Sequence, residues 1–444
     1  MRILHFVAAV SLFSLANLSP LSAVALGISV SPATSMADRP ISIRVSASPG
    51  ERVRVRLMTQ RYGMTFASSA TFIAPKSGAI DLAQQAPISG SYSGSDGMGL
   101  FWSAVPGSDA PKPYEFRRDS DLDARHFTLV ATDGSQSATA SGTRLTLSPD
   151  DNRRVVDSGS LVATLFASKT KTCEPGVIVL GGSEGGVPEE EAAVLAAHGF
   201  TTLALAYFGA PELPQMLTDI PIESVQRAAV FMQARHEVCR DRRIALIGSS
   251  KGAELALLAA SKFDVFGAVV AVSPASIVFG GIGTSATDPN PSSWSYRGKA
   301  LPFANGKVPD NVVAAEQRQR KTHEKVSYRD DYLAQLQNNT EPSAPIPVEQ
   351  IGAPVLVVAG GADQLWPSEF MARQIAARLK LHKHSYPDEL LVCSAAGHQI
   401  GTPYQFPIAE LAYAGLALGG SGLANERADE TSWPKILAFL REAK

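Results

Sequence analysis

A change in hydrophobic period near residue 150 constrains the fold of this chain more than any other feature of its sequence. Beyond that point, near-continuous apolar runs typical of buried strands recur at residues 176–182, 201–207, 243–248, 266–274, 354–361 and 389–397. Helix-like runs lie between several of them, for example at 189–199 and 222–236. Such strands are buried on both faces, so the pattern predicts an α/β fold over residues 151–444, with a mostly parallel sheet and helices on both faces.

Residues 26–150 follow a different pattern. Apolar and polar residues alternate strictly in short runs, for example at 41–45 and 53–57. Strands with one buried and one wet face, separated by turn residues, predict an all-β sandwich of immunoglobulin-like size. A glycine- and serine-rich loop at 86–103 ends in Phe101 and Trp102, and we interpret it as a packed loop or an interdomain contact.

Two further segments complete the domain organisation. Residues 153–168 look like a hairpin that leads into the second domain. Residues 276–349 are polar, rich in proline and partly helix-like, and they separate two predicted strands by more than a plain connection needs. Long insertions of this kind commonly cover an active site, so we predict a cap insertion at about 276–349.

The first residues have the parts of a secretory signal peptide. A basic start at Arg2 is followed by an apolar stretch to Leu18 and by a small-x-small cleavage site at 23–25. We predict a signal peptide at 1–25, a mature chain from about Leu26, and export to the periplasm or out of the cell. The alternatives are an uncleaved membrane anchor and an apolar first helix, but the apolar run is shorter than the ~20 residues of a spanning helix. We expect no membrane span in the mature chain.

Composition argues against some partners. With 40 basic and 42 acidic residues the formal net charge is −2, which gives no reason to expect nucleic acid or an anionic membrane surface. Three cysteines are too few for a disulfide scaffold or a thiolate metal site. Cys173 and Cys239 each lie just ahead of a predicted strand, so an oxidising compartment would allow a disulfide between them. Cys393 is expected to be a buried apolar residue.

The stretch Gly248-Ser249-Ser250-Lys251-Gly252 matches the G-x-S-x-G pattern of a nucleophile elbow. It follows an apolar strand-like run and precedes an alanine- and leucine-rich helix-like one, as an elbow requires. In such a strained turn the central serine hydroxyl, here that of Ser250, stands above the sheet. The alternative is a small-residue turn that only lets a helix pack close to its strand.

A serine nucleophile needs a base and an orienting acid, which follow it in the order serine, acid, histidine in α/β-hydrolases. Asp363 lies three residues past the strand-like run that ends at Gly360, and His398 lies in a glycine-flanked loop after the last strand-like run. Asp363 could instead cap the following helix, and His398 could be a loop histidine with a structural role. Three residues in the right order at strand ends favour a catalytic triad of Ser250, Asp363 and His398.

An oxyanion hole would complete this site. One donor is expected to be the backbone N–H of Lys251, which follows the nucleophile, and the other an N–H of the glycine-rich loop at 181–186. Ser183 and Glu184 are the candidate positions in that loop. The loop does not match a phosphate-binding motif, because no Gly-Lys-Ser/Thr follows it. A triad of this kind needs neither a metal nor a cofactor.

With these motifs in place, the sequence resembles the acyl-CoA thioesterase and bile acid-CoA:amino acid N-acyltransferase (BAAT) family over almost the whole mature chain. The similar stretches are 89–102, 184–214, 247–257, 292–302, 361–370 and 397–407. The resemblance implies an immunoglobulin-like domain followed by an α/β-hydrolase domain, with Ser250 as nucleophile, Asp363 as acid and His398 as base. In this family a cysteine nucleophile accompanies amino-acid conjugation and a serine accompanies hydrolysis. Glu184 stands where the family often has glycine.

The resemblance implies a thioesterase that hydrolyses a fatty acyl-CoA or a related acyl thioester through an acyl-serine intermediate. Acyl-CoA is intracellular, whereas the predicted signal peptide implies export. A carboxylesterase or dienelactone-hydrolase-like enzyme acting on another ester outside the cytoplasm therefore stays open, as does acyl-CoA:amino acid N-acyltransferase activity. A binding protein on a hydrolase fold is the non-enzymatic alternative. The expected partner is a small-molecule acyl ester or thioester, and the oligomeric state stays open.

Overall fold

The computed structural model describes residues 24–61, 63–107, 122–157, 161–283, 291–407 and 415–443. The predicted signal peptide lies outside these residues, apart from its last two positions. Within the described residues, no helix is both long enough and apolar enough to cross a membrane.

The first part of the chain forms two β-sheets. The smaller sheet has the order β1-β3-β6, and the larger has the order β2-β10-β9-β4-β5-β7 with β8 also paired to β5. Their elements are β1 Gly27–Ser31, β2 Thr34–Met36, β3 Ser42–Ser46, β4 Arg52–Arg61, β5 Met64–Ile73, β6 Ala79–Asp81, β7 Ser89–Gly90, α1 Gly99–Trp102, β8 Val105–Pro106, β9 Arg125–Thr132 and β10 Ser137–Leu145. We call this part of the molecule the β domain.

The β domain is a sandwich, as its alternating sequence predicts. Along β4, exposed and buried residues alternate, and Val53 and Val55 on its buried face share a hydrophobic core with Ile43 and Val45 of the smaller sheet. Since the two sheets contribute to one core, they pack face to face. Phe101 and Trp102 are buried in or beside this core, in agreement with a packed loop.

The second part contains an eight-stranded sheet of order β11-β12-β14-β13-β16-β17-β20-β21. An antiparallel hairpin of β11 and β12 forms one edge, and the remaining strands run parallel from β14 to β21. The strands are β11 Asp151–Asp157, β12 Val162–Ser168, β13 Gly176–Leu180, β14 Thr201–Ala206, β16 Ile244–Ser249, β17 Phe266–Val272, β20 Val355–Gly360 and β21 Glu389–Cys393, and a short β15 spans Ile220–Pro221. The predicted α/β-hydrolase architecture is confirmed, and we call this part the hydrolase domain.

Helices cover both faces of the large sheet. They are α2 Glu189–Ala197, α3 Glu223–Gln233, α4 Lys251–Lys262, α7 Ser368–Leu381 and α8 Gly422–Arg441. Ile178 and Leu180 of β13 join the core that contains residues of α3, α4 and α7, whereas Val177 and Val179 join the core that contains residues of α2 and α8. Because successive side chains of a strand point to opposite faces, one continuous apolar run fills two cores.

The interval between β17 and β20 contains the insertion predicted at 276–349. Its described elements are β18 Trp294–Tyr296, β19 Lys299–Ala300, α5 Asp310–Lys321, α6 Arg329–Gln337 and a 3₁₀ turn at Val348–Gln350. Phe279 and Ala344 of the insertion share a small core with Trp366, which follows β20. The insertion therefore packs beside the carboxyl end of the parallel sheet.

Cys173 and Cys239 are joined by a disulfide. The bridge lies at the amino ends of the adjacent strands β13 and β16, at the opposite edge of the sheet from Ser250. Cys393 is half-buried, and burial raises the pKa of its thiol.

Candidate active site

Ser250 occupies the turn between β16 and α4 with φ 55° and ψ −121°. A positive φ is strained for a residue with a side chain, and it aims the hydroxyl away from the strand. A Cβ at Gly248 would lie 2.2 Å from the Gly252 carbonyl oxygen, and one at Gly252 would lie 2.2 Å from that of Gly181. Both glycines are therefore required by close backbone contacts, and this explains why the elbow has glycine at both ends.

Three predicted residues form one hydrogen-bonded chain. Ser250 Oγ lies 2.9 Å from His398 Nε2, and His398 Nδ1 lies 2.8 Å from Asp363 Oδ2. The exposed fractions are 9% for the serine, 3% for the histidine and 1% for the aspartate. With Nδ1 facing a carboxylate, the ring donates from Nδ1 and leaves Nε2 to accept the serine proton. The arrangement can activate the hydroxyl as a nucleophile.

Asp363 is held in place by the chain that follows it. Its Oδ1 accepts from the backbone N–H groups of Leu365 (2.8 Å) and Trp366 (3.2 Å), so Oδ2 is left to face the imidazole. The helix cap that the sequence allowed as an alternative is not formed by Asp363, because α7 has Pro367 at its N-cap.

His398 lies in the loop after β21. Its backbone N–H donates to the Leu418 carbonyl at 2.8 Å, and its carbonyl accepts from Ser273 Oγ at 2.6 Å. The ring of Trp366 meets the imidazole edge-on, with 5.6 Å between the centroids. Backbone hydrogen bonds and an aromatic contact thus fix both the position and the tilt of the ring.

Lys251 begins α4 directly after the serine. Its side chain is buried, pairs with Glu254 at 2.7 Å and lies over the ring of Trp294. Burial lowers the pKa of its ammonium group, and Glu254 opposes that effect. The buried side chain leaves the backbone N–H at the helix start as the group that Lys251 can offer to an oxyanion.

In the glycine-rich loop between β13 and α2, Gly182 approaches the serine. A Cβ built on Gly182 would lie 3.2 Å from Ser250 Cβ, while its N–H donates to Glu184 Oε1 at 2.7 Å. Ser183 is half-buried in the same loop. The Tyr207 hydroxyl donates to the carbonyls of Gly181 (2.6 Å) and Gly182 (3.1 Å) and so fixes the loop.

Sequence reasoning missed the role of Tyr207 in fixing this loop. It offered Ser183 and Glu184 as positions of the loop donor, and that assignment stays a prediction; the Gly182 N–H is already donated to the Glu184 carboxylate. Tyr207 directly follows β14, within the stretch 184–214 that resembles the family, and this position is the signal that could have identified it.

A cavity of about 640 Å³ opens at Ser250 and lies between the two domains. Sites for small molecules commonly have volumes of this order. The β domain contributes Arg61, Trp102, Arg125 and Thr146 to the wall of the cavity. The sequence of residues 26–150 had not predicted this contribution. From the insertion, Lys325 lines the cavity.

Several carboxyl groups line the cavity. Burial raises the pKa of Glu191 to about 7, with a smaller contribution from Glu184. Burial raises the pKa of Glu426 to about 8 and that of Asp429 well above its ordinary value. A low-dielectric wall of this kind favours the neutral acids.

In the described part of the chain, no three histidine, cysteine or acidic side chains are grouped so as to hold a metal ion.

Comparison with known proteins gives curated relatives over almost the whole chain. Acyl-coenzyme A thioesterase 6 of Mus musculus is 32% identical over 94% of this chain and 97% of its own length. The peroxisomal succinyl-coenzyme A thioesterase of the same organism is 30% identical over 91% of this chain and 93% of its own. Among solved structures, an esterase of the bacterial hormone-sensitive lipase family is 17% identical over 67% of this chain and 86% of its own, with a TM-score of 0.38. That score is too low to carry an argument.

Two family models match the two halves of the molecule. Residues 38–157 match the N-terminal region of the acyl-CoA thioester hydrolase/BAAT family, and residues 220–444 match its C-terminal part. The second match covers half of the chain by itself. Together with relatives that are similar from end to end, these matches show that the chain belongs to the acyl-CoA thioester hydrolase/BAAT family and is a hydrolase.

Proposed function

We propose that this chain is a serine thioesterase that hydrolyses an acyl thioester of the acyl-CoA type through an acyl-Ser250 intermediate. The observation that carries the proposal is the buried hydrogen-bonded chain from Ser250 Oγ through His398 to Asp363, at the end of a cavity large enough for a substrate. Curated relatives named as acyl-CoA thioesterases support the choice of substrate class.

In the first half-reaction, Ser250 Oγ attacks the acyl carbonyl carbon and its proton passes to His398 Nε2. Asp363 accepts from Nδ1–H and stabilises the imidazolium that forms. The tetrahedral intermediate then collapses, the C–S bond breaks, and the thiol leaves with the proton from His398. The acyl group stays on Ser250 as an oxygen ester.

In the second half-reaction, a water molecule gives a proton to His398 and attacks the ester carbonyl. Collapse of this intermediate breaks the bond to Ser250 Oγ, which regains its proton, and the free acid leaves. In both steps the negative carbonyl oxygen would be met by the backbone N–H of Lys251 at the start of α4, where the helix dipole also favours an anion. In this proposal the second donor is a backbone N–H of the loop at 181–186, at Ser183 or Glu184, since the Gly182 N–H already donates to Glu184 Oε1.

The test compares wild type with Ser250→Ala on acyl-CoAs of short, medium and long chain and on p-nitrophenyl esters with the same acyl groups. We expect acyl-CoA turnover to exceed ester turnover and to fall by about a thousandfold or more in the variant. Ser249→Ala, one residue earlier in the elbow, is the matched control and is expected to keep most of the activity. Turnover that survives Ser250→Ala would refute the proposed nucleophile.

An exported carboxylesterase is the second candidate. The disulfide between Cys173 and Cys239 favours it, because disulfides persist in oxidising compartments, where acyl-CoA is not the expected metabolite. Turnover of the esters alone in the same assay would select this candidate. Cell fractionation and sequencing of the mature N-terminus would test the proposed export and the cleavage near Leu26.

A further inference from the structure

The loop that carries His398 reaches into the core of the β domain. Phe406 is 4% exposed and belongs to the hydrophobic core of the sandwich. Its ring centroid lies 5.9 Å from that of Phe66 on β5 and 5.9 Å from that of Phe101 in α1. A side chain of the hydrolase domain thus completes the core of the other domain.

Gln405 adds polar contacts beside this aromatic anchor. Its Nε2 donates to the Ala37 carbonyl at 3.1 Å, and its Oε1 accepts from Arg125 Nη1 at 3.0 Å. Arg125 lies on β9 and also pairs with Glu190 of α2 at 3.2 Å. This part of the loop that carries His398 is therefore held to the β domain by apolar and by polar contacts.

The other side of the loop rests on α8. Three side chains of this helix accept backbone N–H groups of the loop: Asn425 from Gly397 at 2.8 Å, Asp429 from Gly401 at 2.7 Å and Glu426 from Tyr404 at 2.9 Å. The helix is itself tied to the β domain, since Trp433 Nε1 donates to Asp38 Oδ2 at 2.9 Å. One support of the loop thus belongs to the β domain, and the other, which packs on the sheet of the hydrolase domain, is in contact with it.

The base needs such supports because of where it lies in the chain. Among the described residues between β21 and α8, none belongs to a helix or a strand. Loop segments move more than the elements they connect, and a displacement of about 1 Å at a reacting group can lower a rate about a hundredfold. We propose that the β domain positions the general base, with Phe406 and Gln405 holding His398 within hydrogen-bonding distance of Ser250 and Asp363. The proposal rests on the proposed function only in taking His398 as the base.

The test measures the rate at which a fluorophosphonate labels Ser250. It also measures kcat per titrated site and KM, each as a function of pH. In Phe406→Ala we expect the labelling rate and kcat per titrated site to fall about tenfold to a hundredfold; Phe406 also lines the cavity, so a change in KM does not decide the result. Phe406→Leu, which keeps an apolar anchor, should restore most of the rate. Gln405→Ala should show a smaller loss of the same kind, and it carries the test if Phe406→Ala does not fold.

The matched control is Phe72→Ala. Phe72 is fully buried in the same core and also lies on β5, but six residues from Phe66 and hence about 20 Å along the strand. The Phe72→Ala variant should be less stable than wild type, as Phe406→Ala is. It should keep the wild-type labelling rate and the wild-type kcat per titrated site across the pH range. A wild-type labelling rate per site in Phe406→Ala and Gln405→Ala would overturn the inference.

The outcomes also separate this inference from the proposed function. Labelling uses no natural substrate, so a wild-type protein that is labelled at Ser250 but hydrolyses no thioester refutes the substrate assignment and leaves the positioning test intact. Failure of wild-type labelling would refute the role of Ser250, and with it both proposals.

Discussion

The two sides of Ser250 are filled differently. On the side of the insertion, the rings of Phe279, Tyr332 and Trp366 pack against one another, and Trp366 reaches His398. On the side of the β domain, a cavity of about 640 Å³ opens at the serine. The insertion thus forms a packed wall, whereas the docking of the two domains leaves an open cavity.

Buried carboxyl groups differ between the two sides as well. Glu254 on the packed side is fully buried, forms an ion pair with Lys251 and accepts from Trp294 Nε1 at 2.7 Å. Glu426 on the open side is 4% exposed and accepts from the Tyr404 N–H, and burial raises its pKa to about 8. One carboxyl is compensated by a cation, and the other is held as a neutral acid at pH 7. The same substitution should therefore have opposite effects at the two positions.

The largest effect is expected from Glu254→Gln. The amide keeps the acceptor for Trp294 but leaves the Lys251 ammonium group buried without its anion, so unfolding free energy should fall by about 4 kcal/mol. Denaturant unfolding at pH 7 measures it. The double variant Lys251→Met with Glu254→Gln should recover much of the loss, because no unpaired charge remains. A loss below about 1 kcal/mol in the single variant would show that the packed side does not depend on this pair.

The opposite sign is expected from Glu426→Gln, which keeps the acceptor for Tyr404. Because the folded-state pKa is raised from 4.5 to about 8, the unfolded chain releases this proton first, and stability falls as pH rises between those values. Removing the group should stabilise the fold by up to about 4 kcal/mol at pH 8 and by nothing near pH 4. Unfolding of both proteins across this pH range measures the effect. Parallel curves would contradict the buried, neutral state of Glu426.

Sequence reasoning reached the triad residues because they depend on rules that act along the chain. The carboxyl ends of parallel strands meet at one edge of a sheet, so Ser250, Asp363 and His398, each placed after a strand-like run, had to come near one another. Gly248 and Gly252 marked the tight turn in the same local way. The assignment of catalytic roles to these residues stays a prediction until the variants are measured.

The cavity and the support of His398 could not be reached in that way. Phe406 and Phe66 lie in different domains and are separated by most of the chain, and neither stands in a pattern that distinguishes it from an ordinary core residue. The burial that raises the pKa of Glu191 and Glu426 likewise depends on the folded structure around them and not on their neighbours in sequence. Contacts of this kind depend on the packing of two finished surfaces, for which a single sequence carries no periodic signal.

The smallest effect is expected from filling the open side. Val187 lines the cavity just before α2, so Val187→Phe should shorten the space available to an acyl chain. We expect kcat/KM for a long-chain acyl thioester, relative to a short-chain one, to fall about tenfold, because a hydrophobic pocket discriminates chain length by about 1–3 kcal/mol. A series of acyl thioesters of increasing length measures the ratio in both proteins.

The ratio is informative because the short-chain substrate meets the same nucleophile and base, so changes in the chemistry of the site cancel. Val230→Phe on the solvent-exposed face of α3 adds the same ring away from the cavity and should leave the ratio unchanged. A ratio that is also unchanged in Val187→Phe would place the acyl chain outside the interdomain cavity. The packed side would then have to open to receive it, and the rings of Phe279, Tyr332 and Trp366 would become the next residues to vary.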